Sequence, residues 1–85
     1  MKQFDYTITD PLGIHARPAG MVAKTAKELG CKVTITKNGK TADTARMMAL
    51  MGLGIKTGDT VTITVEGGDE EHASQVMEKF FRENL

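Results

Sequence analysis

Apolar and polar residues alternate along three stretches of the chain, which is typical of strands with one buried face. The apolar positions of these stretches are Phe4, Tyr6 and Ile8, then Val33 and Ile35, and finally Val61, Ile63 and Val65. The dipeptide Asn38-Gly39 follows the second stretch and predicts a type I′ hairpin turn, because both central residues of that turn need a positive φ. A further short strand, residues 40–43, is expected after this turn. Four strands are therefore predicted, and the fourth spans residues 60–66.

Three other segments show the period of an amphipathic helix. Residues 16–29 carry apolar side chains every three or four positions, and Gly30 stands where a helix end often needs a left-handed residue. A short helix is predicted to start at Thr44, as its N-cap, and to run through Met51. Asp69 is predicted to cap the last helix. The buried stripe of that helix is expected to consist of Ala73, Val76, Met77, Phe80 and Phe81.

The elements follow one another in the order βαββαβα. Because each strand has one apolar face, the economical arrangement is an α+β fold in which a four-stranded antiparallel sheet is covered on one face by three helices. No internal repeat, linker or low-complexity segment divides the chain, so we expect residues 1–85 to form a single domain. A domain of this size builds one core but no deep, enclosed site, and any chemistry is therefore expected at its surface.

Charge and cysteine content argue against several classes of function. Eleven Lys and Arg balance eleven Asp and Glu, and the formal net charge is zero, which argues against binding to nucleic acid or to a membrane surface. Cys31 is the only cysteine, so neither a disulfide within the chain nor a cysteine-rich zinc site is expected. The N-terminal segment lacks the apolar run of a signal peptide, and no stretch is apolar enough to insert into a membrane. We therefore expect a cytoplasmic protein.

The candidate chemistry lies in the segment GIHARPAG, residues 13–20. It places His15 at the predicted start of the first helix, where free backbone N–H groups and the positive end of the helix dipole favour an anion. That environment favours the neutral, nucleophilic imidazole over the imidazolium. On a phosphorylated His15, the backbone N–H groups of Ala16 and Arg17 would face the phosphoryl oxygens, and the Arg17 guanidinium would offer them a planar fork. No metal or cofactor is required if a donor protein supplies the remaining catalytic groups.

Local physics alone leaves another interpretation open. A histidine near a helix start is more often a solvated surface residue or a helix cap than a functional group. The chain would then be a non-catalytic ligand-binding module of similar α/β shape, in which GIHARPAG has no chemical role. Phosphorylation by a donor protein distinguishes the two interpretations.

GIHARPAG resembles the active-site signature of the HPr family, the histidine-containing phosphocarriers of the phosphoenolpyruvate-dependent sugar phosphotransferase system. The similarity continues through NGK at 38–40, LGI at 53–55 and EGGDEEHA at 66–73. The order of elements also matches the family's open-faced β-sandwich. The resemblance implies that the protein is not an enzyme in the ordinary sense but a carrier that other proteins charge and discharge.

On this resemblance, His15 matches the histidine that the family phosphorylates on Nδ1, and Arg17 matches the arginine that contacts the phosphoryl group. The implied donor is enzyme I, charged from phosphoenolpyruvate, and the implied acceptors are enzyme IIA domains of sugar transporters. A paralogue serving a nitrogen-type or other regulatory phosphorelay would share both residues, so the sequence leaves this alternative open. We expect a monomer.

The segment around the second helix carries the prediction of a partner-binding surface. A helix this short cannot bury side chains on all sides, and flexible methionine suits a surface that meets several partners. We interpret Met47, Met48 and Met51, with Met21 nearby, as a docking patch; burial of these side chains in the core is the alternative. Arg46 occupies the position where many family members carry a regulatory serine, so phosphorylation at this position is not expected.

Overall fold

Seven secondary-structure elements follow one another in the predicted order βαββαβα in the computed structural model, which describes all 85 residues. They are β1 (Lys2–Thr7), α1 (Ala16–Leu29), β2 (Lys32–Lys37), β3 (Lys40–Asp43), α2 (Met47–Met51), β4 (Thr60–Glu66) and α3 (Glu70–Asn84). The strands form one antiparallel sheet in the order β1-β4-β2-β3. The predicted α+β fold, an open four-stranded sheet with three helices, is confirmed. None of the helices is long and apolar enough to cross a membrane.

The core lies between the sheet and the two long helices. Ile35 and Ile63 of the central strands are fully buried, as are Val22 of α1 and Met77 of α3. These side chains belong to one continuous cluster of buried apolar residues. The alternation of the strands and the helical period of α1 and α3 thus converge on the same interior, as the sequence predicts.

Phe81 is the largest fully buried side chain of this core. Its ring meets those of Phe4, Tyr6 and Phe80 edge-on, with ring centroids 6.1, 5.6 and 6.1 Å apart. Such pairs contribute roughly 0.5–1.5 kcal/mol each beyond the area they bury. The stripe predicted for α3 faces the core, with Ala73, Met77 and Phe81 buried and Val76 and Phe80 half-buried.

The hairpin turn, the end of α1 and the N-cap of α3 form where the sequence predicts them. Asn38 and Gly39 both have positive φ, +50° and +80°, as a type I′ turn requires. Gly30 ends α1 in the left-handed conformation at φ +67°. The Asp69 carboxylate accepts the backbone N–H of His72 at 3.2 Å and caps α3.

β1 ends one residue before the last apolar position of its alternation. Its last paired residue is Thr7, opposite Thr60, where β4 begins. Ile8 lies beyond the sheet but is fully buried. Its backbone N–H donates to the Asp59 carbonyl at 2.9 Å, and its carbonyl accepts the Gly58 N–H at 2.8 Å. The chain is therefore fastened to the loop before β4 on its way to α1.

The N-cap predicted for the short helix is wrong. The Thr44 hydroxyl donates to the Val33 carbonyl at 2.9 Å, and the Thr44 side chain is 1% exposed. Thr44 continues the alternation of β3, in which Ala42 is also buried, so its side chain points into the core instead of toward the helix. α2 begins only at Met47, with Arg46 as its N-cap and no side-chain cap hydrogen bond.

Candidate functional site

His15 is the N-cap of α1, and its backbone is extended, with φ −114° and ψ −173°. Its carbonyl accepts the Ala19 N–H at 3.0 Å, which fixes the residue at the start of the helix. The side chain is half-buried and makes no cap hydrogen bond. Neither ring nitrogen is bonded to another group of the protein. The backbone therefore fixes His15 at the helix start, while both ring nitrogens stay available.

The loop before His15 requires a glycine at position 13. Gly13 has a φ of +66°, and a Cβ at this position would stand 2.3 Å from the carbonyl oxygen of Ile55. The neighbouring Ile14 is buried and donates its backbone N–H to the same oxygen at 3.2 Å. Only glycine combines this backbone conformation with so close an approach to the loop that precedes β4.

The first turn of α1 carries two backbone N–H groups without an acceptor in the protein, those of Ala16 and Arg17. Pro18 has no N–H to offer, and the Ala19 N–H is already bonded to the His15 carbonyl. No acidic residue lies in this turn. Free N–H groups at the positive end of a helix dipole suit an anion.

Arg17 is exposed, and its guanidinium takes part in no ion pair or hydrogen bond of the protein. It lines an open cleft of about 270 Å³ together with His15. The other residues of this cleft are Asp10, Pro18, Met21, Glu83 and Asn84. The structure thus brings the imidazole and the guanidinium to one surface cleft, where an incoming protein can reach both.

Asp10, Glu83 and Asn84 were missed by reasoning from the sequence. Glu83 and Asn84 belong to the last turn of α3, far along the chain from His15. They reach the cleft because the Leu85 carbonyl accepts the backbone N–H of Asp10 at 2.8 Å, which ties the end of α3 to the loop before α1. No local pattern in the sequence signals this contact.

A larger groove, of about 410 Å³, lies between α1 and the turn after β3. Its floor is mostly apolar, and Lys24, Lys27 and Asp43 contribute its charged groups. The Cys31 thiol also lines it and donates to the Gly67 carbonyl at 3.0 Å. The groove contains neither His15 nor Arg17, so the chemistry favours the smaller cleft.

All four methionines of the predicted docking patch are at the surface. Met48 is the most exposed, at 84%, and Met21, Met47 and Met51 are exposed to a smaller extent. Leu50, in the same short helix, is fully buried and anchors it. A Cβ on Gly20 would contact the Met47 sulfur at 3.9 Å, so α2 lies beside the first turns of α1. The part that these methionines play in docking stays a prediction.

Arg46 is exposed at the start of α2, and its side chain makes no hydrogen bond. Its backbone N–H donates to the Asp43 carbonyl at 2.9 Å, and the Asp43 carboxylate accepts the Ala45 N–H at 2.9 Å. The nearest hydroxyl along the chain, that of Thr44, is buried and bonded to a carbonyl. The start of α2 therefore presents a cation and no accessible hydroxyl.

Comparison with known proteins shows the family of this chain. A family model described as "PTS HPr component phosphorylation site" matches residues 2–83. The phosphocarrier protein HPr of Mycoplasma capricolum is 38% identical over 79 residues, which cover 93% of this chain and 89% of the relative. HPr of Lysinibacillus sphaericus is 36% identical over 77 residues, or 91% and 88% of the two chains. The solved structure of a Mycoplasma histidine-containing phosphocarrier protein superposes with a TM-score of 0.86 at 37% identity, covering 93% of this chain and 90% of the other.

The open sheet with three helices and the matched phosphorylation-site model describe a phosphocarrier protein of the phosphotransferase system. The chain belongs to the HPr family.

Proposed function

We propose that this chain accepts a phosphoryl group on Nδ1 of His15 from phosphorylated enzyme I and passes it to enzyme IIA domains of sugar transporters. The observation that carries the proposal is the free imidazole at the N-cap of α1, next to two backbone N–H groups without acceptors. The relatives named HPr support a carrier role for the whole chain. Residues 1–85 form the carrier unit of this proposal.

The chemistry needs little from the chain itself. The lone pair of Nδ1 attacks phosphorus, and the bond between phosphorus and the donor breaks as the N–P bond forms. The phosphoryl group, with about −2 charge, then lies at the start of α1, where the free N–H groups of Ala16 and Arg17 favour an anion. Transfer to an acceptor runs the same exchange in the opposite direction. The open cleft suits such a carrier because both partners must reach His15.

Arg17 serves this step through its charge. Its guanidinium has no carboxylate partner in the protein, so it is free to form charge-assisted hydrogen bonds with phosphoryl oxygens. These bonds strengthen while charge is redistributed over the oxygens during transfer, and Arg17 therefore stabilises the transition state.

The exposed methionines would provide the docking surface. Met21 lines the cleft with His15, and Met47, Met48 and Met51 are exposed on the adjacent α2. A partner that covers this patch would bring its own phosphoryl-bearing group to the cleft. We place these reactions in the cytoplasm, because phosphoenolpyruvate, the source of the phosphoryl group, is a cytoplasmic metabolite.

Charging by enzyme I tests the proposal. The wild-type chain, His15→Ala and His72→Ala are each incubated with enzyme I and phosphoenolpyruvate, and their intact masses are measured. His72 is the matched control because it is the second histidine and is exposed in the first turn of α3. We expect one phosphoryl group on the wild type and on His72→Ala, and none on His15→Ala. Addition of enzyme IIA should remove the phosphoryl group from the two charged proteins. Equal labelling of His15→Ala would exclude the proposed acceptor.

A further inference from the structure

The Lys37 ammonium, at the end of β2, joins two points of the loop that precedes β4. Its Nζ lies 2.8 Å from the Gly54 carbonyl oxygen and 2.8 Å from Asp59 Oδ2. The Lys37 side chain is 18% exposed, so these contacts are partly shielded from water. Hydrogen bonds that involve a charged group are stronger than neutral ones, and more so when water is kept away.

Asp59 also forms two hydrogen bonds with the backbone of Lys56, within the same loop. Its Oδ2 accepts the backbone N–H of Lys56 at 2.8 Å, and its own N–H donates to the Lys56 carbonyl at 3.0 Å. The Lys37 hydrogen bond, followed by that from the Lys56 backbone, lowers the pKa of Asp59 below its usual value. Lys37 and Asp59 together therefore fix both ends of residues 54–59.

The same loop holds the segment that carries His15. The Ile55 carbonyl accepts the Ile14 N–H at 3.2 Å and lies against Gly13. The Thr57 hydroxyl donates to the Asp10 carbonyl, and the Gly58 N–H donates to that of Ile8 at 2.8 Å. The backbone from residue 8 to residue 14 is thus fastened along the loop that Lys37 braces.

We propose that Lys37 is a positioning residue for His15. Through its bonds to Gly54 and Asp59, Lys37 holds the Ile55 carbonyl in place. That carbonyl contacts Gly13 and Ile14 and so fixes the His15 imidazole at the start of α1. Lys37 touches neither His15 nor the cleft in which it lies. The effect of Lys37 on phosphoryl transfer rests on the function proposed above, whereas its effect on the order of the loop does not.

Lys37→Met tests this role, because it removes the ammonium and keeps an unbranched side chain. Lys40→Met is the matched control: Lys40 pairs with Lys37 across the hairpin but is exposed and makes no bond to the loop. Hydrogen exchange of the Ile14 amide is the direct measurement. We expect it to accelerate about 10-fold in Lys37→Met while the Ile63 amide in the central strand keeps its rate. Lys40→Met should match the wild type at both amides.

Two further readouts separate positioning from stability alone. Charging of His15 by enzyme I should slow about 10-fold in Lys37→Met, because small displacements of a reacting group are costly, and Lys37→Arg should restore most of the rate. Asp59→Asn is the second variant, for use if Lys37→Met does not fold, and should accelerate exchange at Ile14 about threefold.

Three results would overturn the proposal. They are unchanged Ile14 exchange in both variants, equal acceleration at Ile14 and Ile63, and an equal effect of Lys40→Met. A wild type that enzyme I does not charge would contradict the proposed function and leave the exchange comparison as the test of Lys37.

Discussion

At the scale of single residues, the candidate site combines two side chains that lie two positions apart in the sequence. His15 offers unbonded ring nitrogens at the N-cap of α1, and Arg17 offers a guanidinium without a carboxylate partner. Both could be predicted from the sequence, because a helix start is a local feature and GIHARPAG is a contiguous motif. Glu83 and Asn84 could not, because only the docking of α3 brings them to the cleft.

Arg17→Ala tests the role of the guanidinium. We expect transfer to His15 from enzyme I, and from His15 to enzyme IIA, to slow roughly 10- to 150-fold, the effect of losing one charge-assisted contact worth about 1.5–3 kcal/mol. The fold should stay intact because Arg17 is exposed and its side chain makes no bond. Rapid-quench measurement of both half-reactions gives the rates. Lys79→Ala, which removes an exposed cation from α3, is the control and should transfer at the wild-type rate; wild-type rates in Arg17→Ala would exclude the role.

At the scale of elements, α2 exposes four of its five residues at the surface. It spans only Met47–Met51, and Leu50 is its one buried residue. Its three methionines differ in exposure: Met48 is 84% exposed, whereas Met47 and Met51 are 37% and 39% exposed. A group of exposed apolar side chains, with Met48 the most exposed, suits a surface that meets a partner.

Met48→Asp tests this use of α2. A carboxylate placed in an apolar interface must lose its water, so we expect the affinity for enzyme I to fall about 10-fold or more. The free energy of unfolding should stay close to that of the wild type because Met48 is exposed. Titration calorimetry measures the affinity. Gln75→Asp, which adds the same charge to an exposed position of α3, should bind like the wild type; an equal loss in both variants would assign the effect to net charge instead of to α2.

Arg46 leads to a prediction about regulation. In family members with a serine at this position, a dedicated kinase phosphorylates it, and arginine has no hydroxyl to accept the group. Thr44 offers no substitute because its hydroxyl is buried and bonded to the Val33 carbonyl. We expect no incorporation of phosphate from ATP by such a kinase, measured by mass spectrometry, whereas Arg46→Ser is the candidate for gaining it. Phosphorylation of the unmodified chain at Thr44 or at any other hydroxyl would contradict this expectation.

The elements also show where prediction from the sequence reaches its limit. The strands, the type I′ turn and the two long helices depend on local periodicity and on turn chemistry, and the structure confirms them. The prediction that α2 starts at Thr44 is wrong, because threonine suits both a helix cap and a strand. In the structure the hairpin turns the Thr44 hydroxyl toward the Val33 carbonyl and away from the helix. Tertiary contacts thus overrode local preference.

At the scale of the whole molecule, the site lies where three separate segments meet. The loop before α1 bonds to the loop before β4 on one side and to the Leu85 carbonyl, just beyond α3, on the other. A chain of this size has a single core and little depth for an enclosed cavity. In the proposed function, His15 is therefore held at the surface, and its partners supply the remaining chemistry.

The Lys37–Asp59 pair is expected to make the free energy of unfolding depend on pH. The Lys37 hydrogen bond lowers the pKa of Asp59 in the folded state, so its contribution to stability is present above the unfolded-state pKa of about 4. That contribution is lost as the pH falls through the lower folded-state value. We expect Asp59→Asn to be less stable than the wild type near neutral pH, with a difference that shrinks as the pH falls below about 4.

Urea unfolding of both proteins across this range measures the difference. In a Lys37→Met background, where the carboxylate has lost its partner, the pH-dependent part of the difference should diminish. A difference that is the same at neutral and acidic pH, or that grows on acidification, would contradict the assignment.

The most direct test of the central claim is a phosphorus NMR spectrum of the charged chain prepared with nitrogen-15 histidine. The protein is treated with enzyme I and phosphoenolpyruvate and then separated from them. We predict a single acid-labile phosphorus resonance with a one-bond coupling to Nδ1 of His15, and its absence in His15→Ala. A resonance without nitrogen coupling, one coupled to His72, or no phosphorylation at all would contradict the account.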